Sequence, residues 1–430
     1  MPISDIPRAV ENRFRRDIIP VLRRHGWRPR IVPYDGYGSS VHPLEDGPQA
    51  ADGTRHSPAP GIASPDGSDR PATGVTPPDA PDSAAPDSPV PGITPEGPGR
   101  RSTGTPPSDM ARVLARVVMR DPGAPAEGPL FRSLPGNMAE ARDLALTSLL
   151  EVQRGWRLFI DLPVPFIPVT VTLGAASVRT RADRSGCVDV VLRGHDLPPG
   201  WHQATIQAAG STVTAAVLVV APGPRLGVIA DVDDTVMITH IPRALLATWN
   251  SMVKYTSARQ PVPGMARMLT DVQTAHPGAP VFYVSTGAWN VLPTLRAFFE
   301  RHGFPAGPKL LTAWGPTNTG WFRSGIEHKR TQFRRLLIDL PEVVWLLVGD
   351  DGQHDLLLYG ELAREHRNRV AAIAIRQLTP AQQVLAGSLS AHPLGQGPEA
   401  QILDEAGVPV VFGDNGYELA CLLPPEILPG

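Results

Sequence analysis

Apolar residues repeat with two different periods along this chain, and the change falls near residue 223. Between residues 169 and 220 they alternate with polar ones. The runs are Val169-Thr170-Val171-Thr172-Leu173, Ser177-Val178-Arg179-Thr180-Arg181, Val188-Asp189-Val190-Val191-Leu192, Gln203-Ala204-Thr205-Ile206-Gln207 and Thr214 to Val220. Alternation turns one face inward and one outward, so each run predicts a half-buried strand. Gly and Asp turn residues fill the gaps, and short strands at this spacing predict a small antiparallel sandwich. From Arg225 onward the runs are continuously apolar: 226–230, Pro280–Val284, Lys309–Thr312, Val343–Val348 and Val370–Ile375. Helical patterns lie between them, which predicts a Rossmann-like, doubly wound parallel sheet. Val408–Phe412, followed by Gly416–Ala420, adds one more strand and helix.

Upstream, Ile6, Val10, Phe14, Ile18, Val21 and Leu22 fall near one helical face, surrounded by Arg8, Arg13, Arg15, Arg16, Arg23 and Arg24. Such a helix either docks on its own domain with solvated arginines or lies on an anionic membrane surface. Pro20 kinks or stops it. Arg30–Tyr34 predicts a strand, and Gly36-Tyr37-Gly38 a turn. Residues 43–107 then hold 16 of the 49 prolines. That segment has too little apolar surface to offset its chain entropy and predicts disorder. Apolar patterning resumes at Ala111–Val118, so the segment reads as an insertion into a folded domain. Asn137–Trp156 predicts a helix. The expected organisation is therefore a basic amphipathic helix over 1–26, a β-rich domain over 27–222 interrupted by the insert 43–107, and an α/β domain over 223–430.

Composition narrows the function without choosing it. A formal net charge of −2 carries no nucleic-acid signature. Cys187 and Cys421 form neither a CxxC nor a metal spacing, which fits a reducing, cytoplasmic compartment. No run of about 18 apolar residues occurs, so no membrane span is expected. The N-terminus lacks the apolar core of a secretory signal.

Chemistry concentrates where the later strands end. Leu226–Ala230 runs directly into Asp231-Val232-Asp233-Asp234-Thr235. Asp231 and Asp233 are two residues apart, so they leave an extended strand on the same side. Carboxylates aimed at one point need a metal or a shared proton. Ser285-Thr286-Gly287 ends the next strand, and a hydroxyl with free backbone N–H groups before a helix suits phosphate. Lys329 stands near the start of a helix running through Phe333, Leu336 and Leu337, where it can neutralise phosphate or carboxylate charge. Gly349-Asp350-Asp351-Gly352-Gln353-His354-Asp355 closes strand 343–348, and acids from two strand ends can share one Mg²⁺. Asp234 reads as a turn cap, Asp351 as pointing elsewhere, His354 as a bystander and Gly413-Asp414-Asn415 as a turn. Trp249 and Trp289 fit the core as well as a substrate contact.

Asp-x-Asp-x-Thr at 231–235, Ser285, Lys329 and Gly-Asp-x-x-x-x-Asp at 349–355, in this order, resemble the haloacid-dehalogenase-type phosphatases. With Pro261–Met265, Phe282–Ser285, Ala288-Trp289-Asn290 and Tyr359, residues 225–376 resemble the actin-patch-protein-type phosphatidate phosphatase catalytic domain. Ala288 departs from the proline that family commonly has there. The resemblance implies that Asp231 is the nucleophile and forms an aspartyl-phosphate, and that Asp233 is the general acid and base. It implies that Ser285 donates to a phosphoryl oxygen and that Lys329 stabilises the transition state. Mg²⁺ is implied as cofactor, held by Asp231, the carbonyl of Asp233 and Asp350, with Asp355 or Asp351 supporting the metal or orienting Lys329; the Gly-Asp-x-x-x-x-Asp spacing favours Asp355. Thr235 orders the loop. The implied substrate is phosphatidate, with a phosphoprotein, a soluble phosphomonoester or an inactive lipid-binding scaffold as alternatives. Residues 241–260 are too few for a large cap, and Leu245, Leu246, Trp249, Met252 and Val253 share one helical face. That face either packs on the core or borders an open site suited to a substrate in a membrane.

Overall fold

The computed structural model describes residues 23–24, 26–44, 109–120, 162–238, 260–312, 325–352, 354–380, 382–383 and 407–429. All of them belong to one compact unit. The expected helices at 5–26, Asn137–Trp156 and 245–253, and the insert at 43–107, lie outside the described residues but for a few at their ends.

Among the described residues, nine strands form the first sheet: β1 (Arg28–Pro33), β2 (Gly36–Ser39), β3 (Met110–Arg120), β4 (Leu162–Pro163), β5 (Pro168–Leu173), β6 (Ala176–Arg181), β7 (Cys187–Arg193), β8 (Gly200–Ala208) and β9 (Ser211–Val220). Its main path runs β1-β3-β2-β9-β8-β5-β6, with β4 and β7 also on β3. The period-2 runs become strands with alternating burial, as in β5, where Val169, Val171 and Leu173 are buried. The described strands make one continuous hydrogen-bonded sheet instead of two separately bonded ones. The cause is β3, whose eleven residues are paired along both edges. Ala115, for example, faces Pro33 on one side and Val188 on the other. Val113, Val171, Val190, Ile206 and Val217 nevertheless share one core, so the sheet curls around its own apolar face.

Gly36-Tyr37-Gly38 is not a turn but most of β2. The glycines serve close approach: a Cβ on Gly36 would sit 2.6 Å from the Arg112 carbonyl oxygen, and one on Gly38 2.2 Å from that of Met110. Tyr37 between them is fully buried.

The second sheet contains β10 (Arg225–Asp231), β11 (Val281–Ala288), β12 (Lys309–Thr312), β13 (Val343–Asp350), β14 (Val370–Arg376) and β15 (Val410–Gly413), in the order β12-β11-β10-β13-β14-β15. Every neighbouring pair is parallel. Counted from β10, this is the order 3-2-1-4-5-6, which reverses direction at the first strand. The described helices are α1 (Met265–Ala275), α2 (Leu292–Arg301), α3 (Gly325–Asp339), α4 (Asp355–Glu365) and α5 (Gly416–Leu422). β13 and β14 are buried almost throughout, which is why their sequences are continuously apolar. None of the described helices is long and apolar enough to cross a membrane.

The two sheets share a seam. Tyr34, Tyr37, Leu114 and Val220 of the first belong to the core cluster of the second. Tyr37 packs edge-on against Phe282, with centroids 5.4 Å apart, and its hydroxyl donates to Asp339 at 2.9 Å. Arg112 Nε donates to the same carboxylate at 2.9 Å. Asp35 is paired with Arg296 and accepts the Lys309 backbone N–H at 3.2 Å.

Candidate active site

Parallel strands aim their carboxyl ends at one edge of the sheet, and ligands bind there where the strand order reverses. β10, β11 and β13 meet at that point, and each ends in one of the polar clusters. Asp231 is the last residue of β10, Asp350 the last of β13, and Asp355 the first of α4. One carboxylate oxygen from each lies within 4.8 Å of the others, and all three residues are buried.

Lys329 enters from α3 and is also buried. Its ammonium lies 2.7 Å from Asp231 Oδ1 and 2.5 Å from Asp355 Oδ1. Three carboxylates and one ammonium carry a net charge of −2 (three negative charges less one) if all are ionised. Burial pushes the Asp231 carboxyl up to about 8, against the pull of Lys329. Burial, with Asp355 and Asp231 beside it, also raises Asp350 well above the usual carboxylate range. Burial works against the Lys329 ammonium, but Asp231, Asp355 and Asp350 together outweigh it and hold its pKa up. The cluster is therefore short of positive charge. Asp231 Oδ2 and Asp355 Oδ2 are buried with no hydrogen-bond partner. Unsatisfied carboxylate oxygens around a charge deficit are a donor set suited to a hard divalent cation.

The neighbouring residues are held by short contacts. Asp350 Oδ1 accepts the Gly352 N–H at 2.8 Å, and Thr235 Oγ1 donates to Asp350 Oδ2 at 3.3 Å, tying the β10 loop to the β13 loop. Ser285 Oγ donates to Asp233 Oδ2 at 3.2 Å and accepts the Gly287 N–H at 2.9 Å. The Asp233 carboxylate thus meets the serine, while its charge also acts on Asp231. Asp233 is only half-buried, unlike Asp231. Gly349 is required by crowding: a Cβ there would stand 2.6 Å from the Tyr359 ring and 2.7 Å from Asp355 Oδ2.

Other acids are engaged elsewhere. Asp351 accepts the Leu378 N–H at 2.8 Å and the Gln383 amide at 3.3 Å. Asn415 caps α5, accepting from Tyr417 and Glu418. Asp234 lies within the β10 loop at φ 59°. Two residues near the site were not anticipated. Arg376, at the end of β14, donates to the Asp234 carbonyl. Tyr34, from the loop after β1, stacks on Trp289 at 3.9 Å and 9°, just beyond the strand that carries Ser285. Arg376 had a readable signal, a charge terminating the apolar run Val370–Ile375. Tyr34 had none, because its partner lies far along the chain.

Comparison with known proteins shows what the segment carrying these residues is similar to. Residues 226–377 match the family described as "Phosphatidate phosphatase APP1, catalytic domain". Phosphatidate phosphatase APP1 of Saccharomyces cerevisiae is 27% identical over 154 residues, 35% of this chain and 26% of the yeast protein. An uncharacterised Schizosaccharomyces pombe protein, C29B5.04c, is 27% identical over 157 residues, 36% of this chain and 25% of its own length. The match thus spans about a quarter of the curated relatives. A Xanthomonas citri carbohydrate acetylesterase, XAC1771, aligns at a TM-score of 0.25 and 12% identity, over 58% of this chain and 63% of its own, too slight a likeness to bear on function. The matched segment runs from β10 through β14 and contains Asp231, Asp233, Ser285, Lys329, Asp350, Asp355 and Arg376. Through this segment, the chain is similar to the phosphatidate phosphatase APP1 catalytic domain.

Proposed function

We propose that the protein is a Mg²⁺-dependent phosphomonoester hydrolase that converts phosphatidate to diacylglycerol and phosphate. The observation that carries the reading is the buried convergence of Asp231, Lys329, Asp350 and Asp355 beside the Asp233–Ser285 pair. The similarity to a phosphatidate phosphatase catalytic domain supports a lipid substrate. On this reading the α/β half, residues 223–430, has the haloacid-dehalogenase-type fold, and residues 27–222 form a β-rich domain, interrupted by the insert 43–107, that shares a core with it. The protein works in the cytoplasm, at the surface of a membrane.

The Asp231 carboxylate attacks the phosphorus through one oxygen, and the bond from phosphorus to the lipid oxygen breaks. Asp233, half-buried and hydrogen-bonded to Ser285, gives its proton to that leaving oxygen. Diacylglycerol departs and an aspartyl-phosphate remains. Asp233, now ionised, takes a proton from water, whose oxygen attacks phosphorus and releases phosphate and the Asp231 carboxylate. Ser285 Oγ turns from Asp233 to donate to a phosphoryl oxygen. Lys329 remains charged throughout and offsets the negative charge that the phosphoryl group brings. Asp231, Asp350 and Asp355, with the Asp233 carbonyl, would hold Mg²⁺, which when bound supplies the missing positive charge against the phosphoryl oxygens.

The test is phosphate release from phosphatidate vesicles and from a soluble phosphomonoester, with Mg²⁺ or with chelator. Release from vesicles that needs Mg²⁺ is expected, and Asp231→Asn should reduce it by at least about 10³-fold. Turnover surviving Asp231→Asn would remove the nucleophile assignment. Activity confined to soluble esters would remove the lipid assignment.

A further inference from the structure

We infer that Arg376 is a positioning residue that locks the nucleophile loop by clamping Asp234 in a left-handed conformation. The inference rests on the phosphatase reading of this site and extends it to a residue outside the acid–lysine cluster.

Asp234 sits between the general acid Asp233 and the loop-tying Thr235. Its φ of 59° is uncommon for a non-glycine residue, although aspartate tolerates it better than most, and it is held where hydrogen bonds favour it. Two hydrogen bonds do so here. The Asp234 N–H donates to the Met237 carbonyl at 2.8 Å, closing the turn from within. The Asp234 carbonyl accepts from Arg376 Nη1 at 2.5 Å, fixing the turn from outside. Loss of the second bond removes the contact that joins the Asp234 carbonyl to β14 and favours relaxation of Asp234 towards an ordinary φ. A rotation there re-aims Asp233 and its carbonyl on one side and Thr235 on the other.

Arg376 is built for this task. Its side chain is buried at the end of β14, opposite Asp350 in register. From there it reaches past the end of β13 to the loop after β10. Its other two arms are occupied: Nε donates to the Asp414 carbonyl at 3.2 Å and Nη2 to Gln382 Oε1 at 3.2 Å. A planar guanidinium can serve three acceptors in three segments at once, whereas a lysine ammonium on a shorter stem cannot match that fork. The residue touches no reacting atom; its charge also lies near Asp350, and the glycine rescue below separates that electrostatic effect from the clamp on the loop.

The experiment compares the full chain with Arg376→Gln, Arg376→Lys, Asp234→Gly and Arg376→Gln/Asp234→Gly. Turnover is measured on a soluble phosphomonoester with Mg²⁺, together with melting temperature and hydrogen exchange of residues 232–238. Arg376→Gln should lower kcat by about 30-fold, with KM within about threefold, since misaiming by a fraction of an ångström carries penalties of this order. Arg376→Lys should recover about threefold of that. Glycine accepts the left-handed conformation without strain, so the double variant should regain about tenfold over Arg376→Gln. A folded double variant as slow as Arg376→Gln would overturn the inference, as would wild-type turnover in Arg376→Gln. If Arg376→Gln does not fold, the same rescue is read on Arg376→Lys. A wild-type protein with no turnover on any phosphomonoester refutes the phosphatase reading instead. The clamp is then decided by exchange: residues 232–238 should exchange at least about tenfold faster in an Arg376 variant, and unchanged exchange overturns it.

Discussion

At the scale of single residues, the site is governed by a mismatch of charge. Lys329 answers Asp231 and Asp355 directly, yet burial still pushes Asp231 up to about 8 and raises Asp350. In the unfolded chain an aspartate titrates near 3.9. The folded, metal-free protein therefore holds protons that the unfolded chain has released, and its stability must fall as pH rises between about 4 and 8. The melting temperature in chelator should drop across that window. Mg²⁺ should flatten the slope by favouring the ionised carboxylates, and Asp350→Asn should flatten it even in chelator. A melting temperature that rises with pH in chelator would show that Lys329 alone satisfies the cluster. The residues behind this behaviour were legible in the sequence, because acids and a lysine at strand and helix ends sit where a parallel sheet gathers its ligands. The contacts were only partly so: the pairing of Asp355 with Lys329 was one of two roles the resemblance implied, whereas the bond from Ser285 to Asp233 joins segments that only the fold brings together.

At the scale of elements, legibility depended on whether a pattern was local. β5 to β9 and β10 to β14 follow from period and turn chemistry within a few residues of their observed ends. β2 does not, because Gly36 and Gly38 carry the local mark of a turn while answering to the backbone of β3, more than seventy residues away. The same distance hid the contact between Tyr34 and Trp289. Trp289 begins the short helical turn after β11, and β11 carries Ser285, so the stack braces the serine end of the site from the first sheet. An aromatic pair of this kind is worth about 0.5–1.5 kcal/mol beyond its buried area. Tyr34→Phe keeps the ring and should leave turnover within about twofold. Tyr34→Ala removes it and should lower kcat by about tenfold through loss of Ser285 alignment, a barrier change of about 1.4 kcal/mol. Equal kcat for Tyr34→Ala and Tyr34→Phe, in proteins that both remain folded, would limit the stack to a structural role.

At the scale of the whole molecule, the two sheets are bound by more than contiguity in the chain. The change of period near residue 223 suggests two independent bodies, but the core of the second sheet includes Tyr34, Tyr37, Leu114 and Val220 from the first. Polar contacts close the same seam. Asp339, at the end of α3, accepts from both Tyr37 and Arg112, and Arg112 also reaches Asp189 on β7. Tyr37 and Asp339 are buried, so Asp339→Ala strands a phenolic hydroxyl and a guanidinium arm without their acceptor. An unsatisfied buried partner costs about 1–3 kcal/mol, and more where a charge is involved. Were the sheets independent, that loss would register only in the half containing α3. With a shared core, the described sheets should unfold in one cooperative transition, and Asp339→Ala should shift its midpoint as a unit. Trp201 on β8 and Trp345 on β13 provide fluorescence reporters, one per sheet, once each is left as its sheet's reporter by Trp→Phe substitution elsewhere. Coincident urea midpoints for the two, moving together in Asp339→Ala, are the expected result. Separated midpoints, with only the Trp345 signal displaced by the substitution, would mean that the seam joins two bodies that fold alone, and that the first sheet contributes to the catalytic loop only by leaning on it.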